Sequence, residues 1–202
     1  MMGASASVES FKSFEYSRSL AKYGGISLAL LSIIIGTYSS YVLMGYRWIW
    51  YSYHPSSMVA AFLAMSGNAI LIKKMGGYEN TKMHGYLMTL ASLLAGVGFY
   101  VIYTNKIMQG KNHFMTTHGK IGLGLLLGYL SMGLFGFIGL NPDWGYFKTD
   151  KRIRLIHKMS GRVLTFIAWY NCFTGFSTTE KNQYLQASFG ISLLIFSFFV
   201  LM

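Results

Sequence analysis

The chain has 202 residues, of which 53% are hydrophobic and only 11% charged, with a formal net charge of +11. A soluble domain usually carries about 25% charged residues, so an ordinary water-soluble globular enzyme is excluded, and the single cysteine, Cys172, excludes an internal disulfide framework. In chain order, residues 1–24 form a polar tail, "MMGASASVESFKSFEYSRSLAKYG", followed by one membrane domain over 25–202. The apolar run after the tail is too long for a cleaved signal. Myristoylation wants a glycine at position 2, and the "MMG" start lacks it. No N-x-S/T sequon occurs. About 20 apolar residues span a bilayer, and six runs qualify: 25–45, 51–72, 84–104, 118–140, 157–177 and 184–202. Short connections leave no room for a soluble domain, so the predicted fold class is an all-α integral membrane protein with six transmembrane helices.

Positive charge of this size can signal nucleic acid, but a bilayer accounts for it better. Lys12, Arg18 and Lys22, then Lys73, Lys74 and Lys82, then Lys148, Lys151, Arg152, Arg154 and Lys158 fall on one side of a six-helix topology. The opposite loops hold Arg47, Lys106, Lys111, Lys120 and Lys181. The positive-inside rule then places both termini in the cytoplasm and no nucleic acid is expected. The basic loops can also meet anionic lipid.

Four of the five histidines open four successive helices: His54 in "YSYHPSSM", His84 in "TKMHGYLM", His118 in "TTHGKIGL" and His157 in "LIHKMSGR". Successive helices are antiparallel. His54 and His118 therefore belong near the outer surface, and His84 and His157 near the cytoplasmic one. Any one of them read alone is equally well an interfacial residue with a satisfied ring. Ionisable groups at membrane depth are costly and usually functional, and two matched pairs are hard to explain otherwise. Zinc takes three or four protein ligands; each pair supplies two, which suits the axial positions of a haem. The absence of C-x-x-C-H makes that haem non-covalent. Gly85, Gly119, Gly122 and Gly161 lie beside the histidines, where small residues serve either a flat porphyrin or close helix packing.

These segments, with "GKNHFMTTHGKIGL", resemble the cytochrome b561 family, most closely its short b561-domain-containing branch of transmembrane reductases on endomembranes. The resemblance covers roughly positions 50 to 165. It implies a dihaem bundle of helices two to five, with two haem b groups whose iron ligands are His54 with His118 and His84 with His157. It further implies electron transfer from cytoplasmic ascorbate to a non-cytoplasmic ferric chelate or monodehydroascorbate, in an endoplasmic reticulum or vesicle membrane. Lys82, Arg152 and Arg154 border the cytoplasmic haem and can hold ascorbate, pair with haem propionates or anchor helix ends. His113 and Lys111 in the outer loop are either solvated or the acceptor site, with Lys106, Tyr103 and Asn112 nearby. Many family members carry a carboxylate where this chain has Asn68. Other readings are a quinol-linked dihaem cytochrome b subunit and, from another class, a histidine-lined metal or proton transporter. Transporters usually place polar groups at mid-membrane, whereas these histidines sit at helix ends. Small-residue runs such as "GLGLLLGYLSMGLFGFIG" can pack haem, a neighbouring helix or a second copy in a homodimer.

Overall fold

The computed structural model describes the backbone of residues 2–201 and the side chains of Glu15, Arg18, Ser19 and residues 21–201. Lys12, which entered the charge bias, lies outside the described side chains. All regular structure among the described residues is helical. Helix α1 spans Met2–Thr37 and continues as a π-helical stretch over Tyr38–Val42. The second pass is composite: α2 (Tyr53–Val59), a π-helical stretch (Ala60–Ser66) and α3 (Gly67–Lys74). Single uninterrupted helices follow, α4 (Tyr78–Met108), α5 (Thr117–Gly139), α6 (Lys151–Thr179) and α7 (Gln183–Leu201).

Local chemistry sets the ends. Gly76 and Gly77, at φ of +71° and +85°, make the tight turn before α4 in a backbone region glycine adopts readily. The Thr116 side chain caps α5 by accepting from the Gly119 N–H at 3.1 Å. Asp150 caps α6 through the N–H groups of Arg152 and Ile153, at 2.8 and 3.1 Å. Helices α4 and α6 therefore start several residues before the apolar runs that announce them.

Five segments are long and apolar enough to cross a membrane: Ala21–Val42, Trp50–Lys74, Tyr78–Met108, Thr117–Gly139 and Gln183–Leu201. Helix α6 is the more polar one, because its first twelve residues carry Lys151, Arg152, Arg154, Lys158 and Arg162. Its 29 residues still reach about 43 Å at 1.5 Å per residue, more than the roughly 30 Å hydrocarbon core. The chain is a multi-pass, all-α membrane protein.

The composite second pass, α4, α5 and α6 pack round one another, while α1 and α7 flank the side made by the second pass and α6. Between helices already in lipid, close van der Waals packing supplies the attraction. Ala61, Ala69, Ala91, Ala95 and Ala168 are fully buried and let the backbones approach. The π-helical stretch at Ala60–Ser66 presents the Phe62 carbonyl to the bundle centre, where it accepts from Trp169 Nε1 at 2.7 Å and Ser66 Oγ at 2.5 Å. Single π turns inside helices recur at functional sites. The Tyr129 hydroxyl joins this buried cluster by donating to Ser66 Oγ at 3.4 Å, and Thr165 Oγ1 lies 3.2 Å from it.

One face of the bundle carries the 75–77 and 140–150 connections, and the opposite face carries 43–49, 109–116 and 180–182. They are called the first and second face below.

Candidate cofactor site

His54 lies in the first turn of α2 and His118 is the second residue of α5, both near the second face. Their ring centres stand 6.3 Å apart, with the planes at 89°. Metal–imidazole bonds are about 2 Å, so two axial nitrogens sit about 4 Å apart across an ion. The observed ring separation suits that arrangement. His54 Nδ1 is 2.9 Å from the Gly98 carbonyl on α4. His118 Nδ1 is 3.1 Å from the Asn171 carbonyl and 3.2 Å from Thr174 Oγ1, both on α6. A ring whose Nδ1–H donates to a carbonyl keeps Nε2 as the free basic nitrogen, the usual state of a metal-binding histidine.

His84 and His157 form the other group. His84 Nδ1 is 3.0 Å from the Ala69 carbonyl on α3, and His157 and Lys73 lie close enough for charge on them to act on it. His157 Nδ1 is buried with no hydrogen-bond partner among the described residues. Neither residue opens its helix: His84 is six residues past Tyr78 and His157 six past Lys151. That is about 9 Å deeper than the helix starts. The apolar runs begin at these residues, but the helices begin at the glycine turn and the Asp150 cap. Fourteen residues separate His84 from Gly98 on α4, and fourteen separate His157 from Asn171 on α6. The two histidine levels are therefore about 21 Å apart along the helix axes.

The donor chemistry fits haem. Among the described residues, no three His, Cys, Asp or Glu side chains converge, so neither pair finds the third and fourth ligand that zinc takes. A porphyrin brings four nitrogens of its own and needs two more. A Cβ on Gly161 would meet nothing within 4 Å, and one on Gly122 only the Asn171 amide at 3.4 Å. Two further glycines lie closer to the rings, Gly136 inside the small-residue run already quoted and Gly175, which sequence reading passed over. A Cβ on Gly175 would stand 2.7 Å from His118 Cε1, and one on Gly136 3.4 Å from His157 Cε1. Gly175 lies four residues past Asn171, so the fourteen-residue register was the available signal.

A cavity of about 240 Å³ runs from His54 and His118 towards the second face, where Tyr103, Lys106, His113 and Phe114 border it. His113 stacks on Tyr103 with ring centres 4.2 Å apart and planes at 18°. Phe114 takes φ +54°, a left-handed conformation uncommon for a bulky residue. Its ring lies parallel to Phe99. Lys111 is exposed and does not border the cavity; Lys106 does, and its Nζ donates to the Asn112 carbonyl at 3.2 Å. Of the two lysines expected near His113, only Lys106, in the last turn of α4, borders the cavity, because helix phase aims it inward.

On the first face, Lys82 is already engaged. Its Nζ is 3.3 Å from Asp143 Oδ2 and 3.2 Å from the Tyr78 hydroxyl, which itself donates to Asp143. Asp143 belongs to the α5–α6 connection, and its carboxyl is held below the usual carboxylate range, chiefly by the Tyr78 hydroxyl and then by Lys82. Arg152 and Arg154 are exposed. The cation whose charge reaches both histidines of this level is Lys73, half-buried, whose Nζ donates to Thr81 at 2.5 Å and feels the Arg154 charge. Asn68 ties α3 to its own preceding turn and to α1, donating to the carbonyls of Ala64 at 2.8 Å and Gly25 at 3.4 Å. A position inside the bundle that can take a carboxylate is here a packing amide.

The family described as eukaryotic cytochrome b561 matches residues 53–182, a stretch containing all four histidines. Among curated proteins, ascorbate-specific transmembrane electron transporter 1 of Zea mays is 25% identical over 142 residues, 68% of this chain and 59% of its own length. The transmembrane reductase CYB561D2 of Homo sapiens is 29% identical over 126 residues, 56% of this chain and 54% of its own. The mouse protein of that name, from Mus musculus, is 30% identical over 125 residues, again 54% of its length. The chain spans between half and two thirds of the curated relatives it matches.

Proposed function

Because this chain belongs to the eukaryotic cytochrome b561 family, we propose that it is a transmembrane oxidoreductase drawing electrons from ascorbate. The acceptor lies on the opposite side of the membrane and is a ferric chelate or monodehydroascorbate. The observation that carries the proposal is the pair of histidine levels, each joining facing helices and separated by the same fourteen-residue interval on α4 and on α6. Haem b held by His54 with His118, and by His84 with His157, would supply a one-electron carrier at each level. The relatives named for ascorbate transport and for transmembrane reduction support the donor and the reaction class.

The side chains have separate tasks in this reading. The carbonyls of Gly98, Asn171 and Ala69 hold the imidazoles in one tautomer. The charge bias makes the first face cytoplasmic. There Lys82, Arg152 and Arg154, with Lys73 behind them, attract the ascorbate anion. On the second face, Lys106 and the Tyr103–His113 stack receive the acceptor, with Lys111 adding to the field from outside. Residues 1–24 then belong to the cytoplasmic side, and residence in the endoplasmic reticulum or a vesicle membrane accords with the endomembrane branch of the family.

The test is reduction in proteoliposomes of known orientation, with ascorbate confined to one side and a ferric chelate or monodehydroascorbate to the other. Acceptor reduction should require ascorbate at the first face. Reduction by quinol but not ascorbate would make the chain a quinol-linked cytochrome subunit, and a colourless preparation would return the transporter reading.

A further inference from the structure

A second feature lies away from the histidines, on the lipid-facing side of α6 and α7. Lys158, Arg162, Phe166 and Tyr170 recur every four residues along α6 and so form one stripe. The stripe changes character along its length. Its cytoplasm-proximal end is cationic: the charges of Lys158 and Arg162 act on Lys74, at the end of α3. Lys74 Nζ is fixed there by donating to the Phe199 carbonyl of α7 at 2.9 Å. Lys74 and Lys158 carry like charges at this end of the stripe, and among the described residues no carboxylate pairs with either.

Beyond Arg162 the stripe becomes an apolar groove of about 280 Å³ between α6 and α7. Phe166 and Tyr170 form one wall, Leu194 and Ser197 the other, and buried Trp169 the floor. Gly190 keeps the far end narrow in backbone, since a Cβ there would meet Phe173 at 3.1 Å. A ligand of this site must be anionic at one end and apolar over the adjoining turns, and it must approach from the bilayer. We propose that the groove holds an anionic phospholipid, with its phosphate against Lys74, Lys158 and Arg162 and an acyl chain between α6 and α7. Basic pockets between transmembrane helices at the cytoplasmic side are known to take such headgroups.

The full-length, haem-loaded protein is placed in nanodiscs of phosphatidylcholine with or without phosphatidylserine. Retained lipid is then read by native mass spectrometry, and Tm is recorded. Phosphatidylserine should be retained preferentially and raise Tm. The double variant Lys158→Gln, Arg162→Gln should lower the preference for phosphatidylserine over phosphatidylcholine by about 30-fold, from two interfacial charges. Leu194→Trp, which fills the groove and leaves the charges alone, should lower retention too. Lys148→Gln, on the same face but off the stripe, should change neither. The charge-preserving swap Lys158→Arg, Arg162→Lys should keep the preference and guards against a folding defect in the double variant. Equal retention of the two lipids, or an unchanged preference in the double variant, overturns the proposal. So does a Tm rise reproduced by inorganic phosphate alone, which would mean an anion site without a lipid.

Discussion

Gly175→Ala tests most directly the second-face histidine level, His54 with His118, called the upper level below, with His84 and His157 as the lower. The added Cβ would stand 2.7 Å from His118 Cε1 and 3.4 Å from both ring nitrogens. Carbon atoms pack best at about 3.5–4.0 Å, so the ring must retreat by about 1 Å. It cannot do so freely, because its Nδ1 is bonded to Asn171 and Thr174 on the same helix as Gly175. A retreat of that size takes the 3.1 Å contact to about 4 Å, beyond hydrogen-bonding distance. Overpacking costs about 1–3 kcal/mol and the lost hydrogen bond about 1 kcal/mol. Together these weaken retention of the upper haem by roughly 30- to 1000-fold. The assay is haem stoichiometry during detergent washing, followed by absorbance spectra. The lower haem should stay and reports that the variant is folded. Gly136→Ala is the companion: its Cβ meets His157 Cε1 at 3.4 Å, an ordinary contact, and both haems should remain. If Gly175→Ala retains both haems as firmly as the parent, His118 does not hold one in the orientation described.

Two non-covalent haems per chain should be extracted by acidified organic solvent; one haem, or a covalently retained one, contradicts the two-level assignment. His118→Ala should keep about half the haem and remain reducible by first-face ascorbate but fail to reduce an acceptor on the second face. His157→Ala should lose fast reduction from the first face, and the opposite pattern would exchange the two faces. Lys82→Glu should weaken ascorbate use more than use of an uncharged reductant, whereas Asp143→Asn, which frees Lys82, should lower the KM for ascorbate. The folded Asp143 carboxyl sits below its unfolded value of about 4. Its contact with Lys82 is therefore complete at neutral pH and lost only as pH falls through the depressed pKa, so the Asp143→Asn effect should be constant over about pH 5–8.

That His54 and His118 share one end of the bundle, and His84 and His157 the other half, was legible because helix parity needs only the order of the apolar runs, and those runs are long. Depth was not. Hydropathy places the start of a span at His84 and His157, but Gly76–Gly77 and Asp150 start the helices six or seven residues earlier. The polar first turns fold as helix all the same, since capping rather than hydropathy determines where a helix can begin. The π-helical stretch at Ala60–Ser66 was hidden as well, because a single wide turn in an apolar run leaves no periodic trace. Which of Lys106 and Lys111 borders the cavity was hidden for a related reason. Both flank the same loop, and only the phase of α4 decides which ammonium borders the cavity. Lys82 was legible as a cation near His84, but its engagement by Asp143 depends on how the 140–150 connection folds back, which no local pattern encodes.

The fourteen-residue interval between the histidine levels has an electrical consequence. About 21 Å of a roughly 30 Å hydrocarbon core is two thirds of the distance over which a membrane potential falls. A full crossing is worth about 2.3 kcal/mol per elementary charge at 100 mV, so an electron passed between the two levels, as proposed, would exchange about 1.5 kcal/mol with the field. The equilibrium between the two levels then shifts about tenfold per 100 mV. On the proposed function, a membrane more positive on the second-face side would draw electrons towards that face, and the rate of transfer would follow the voltage.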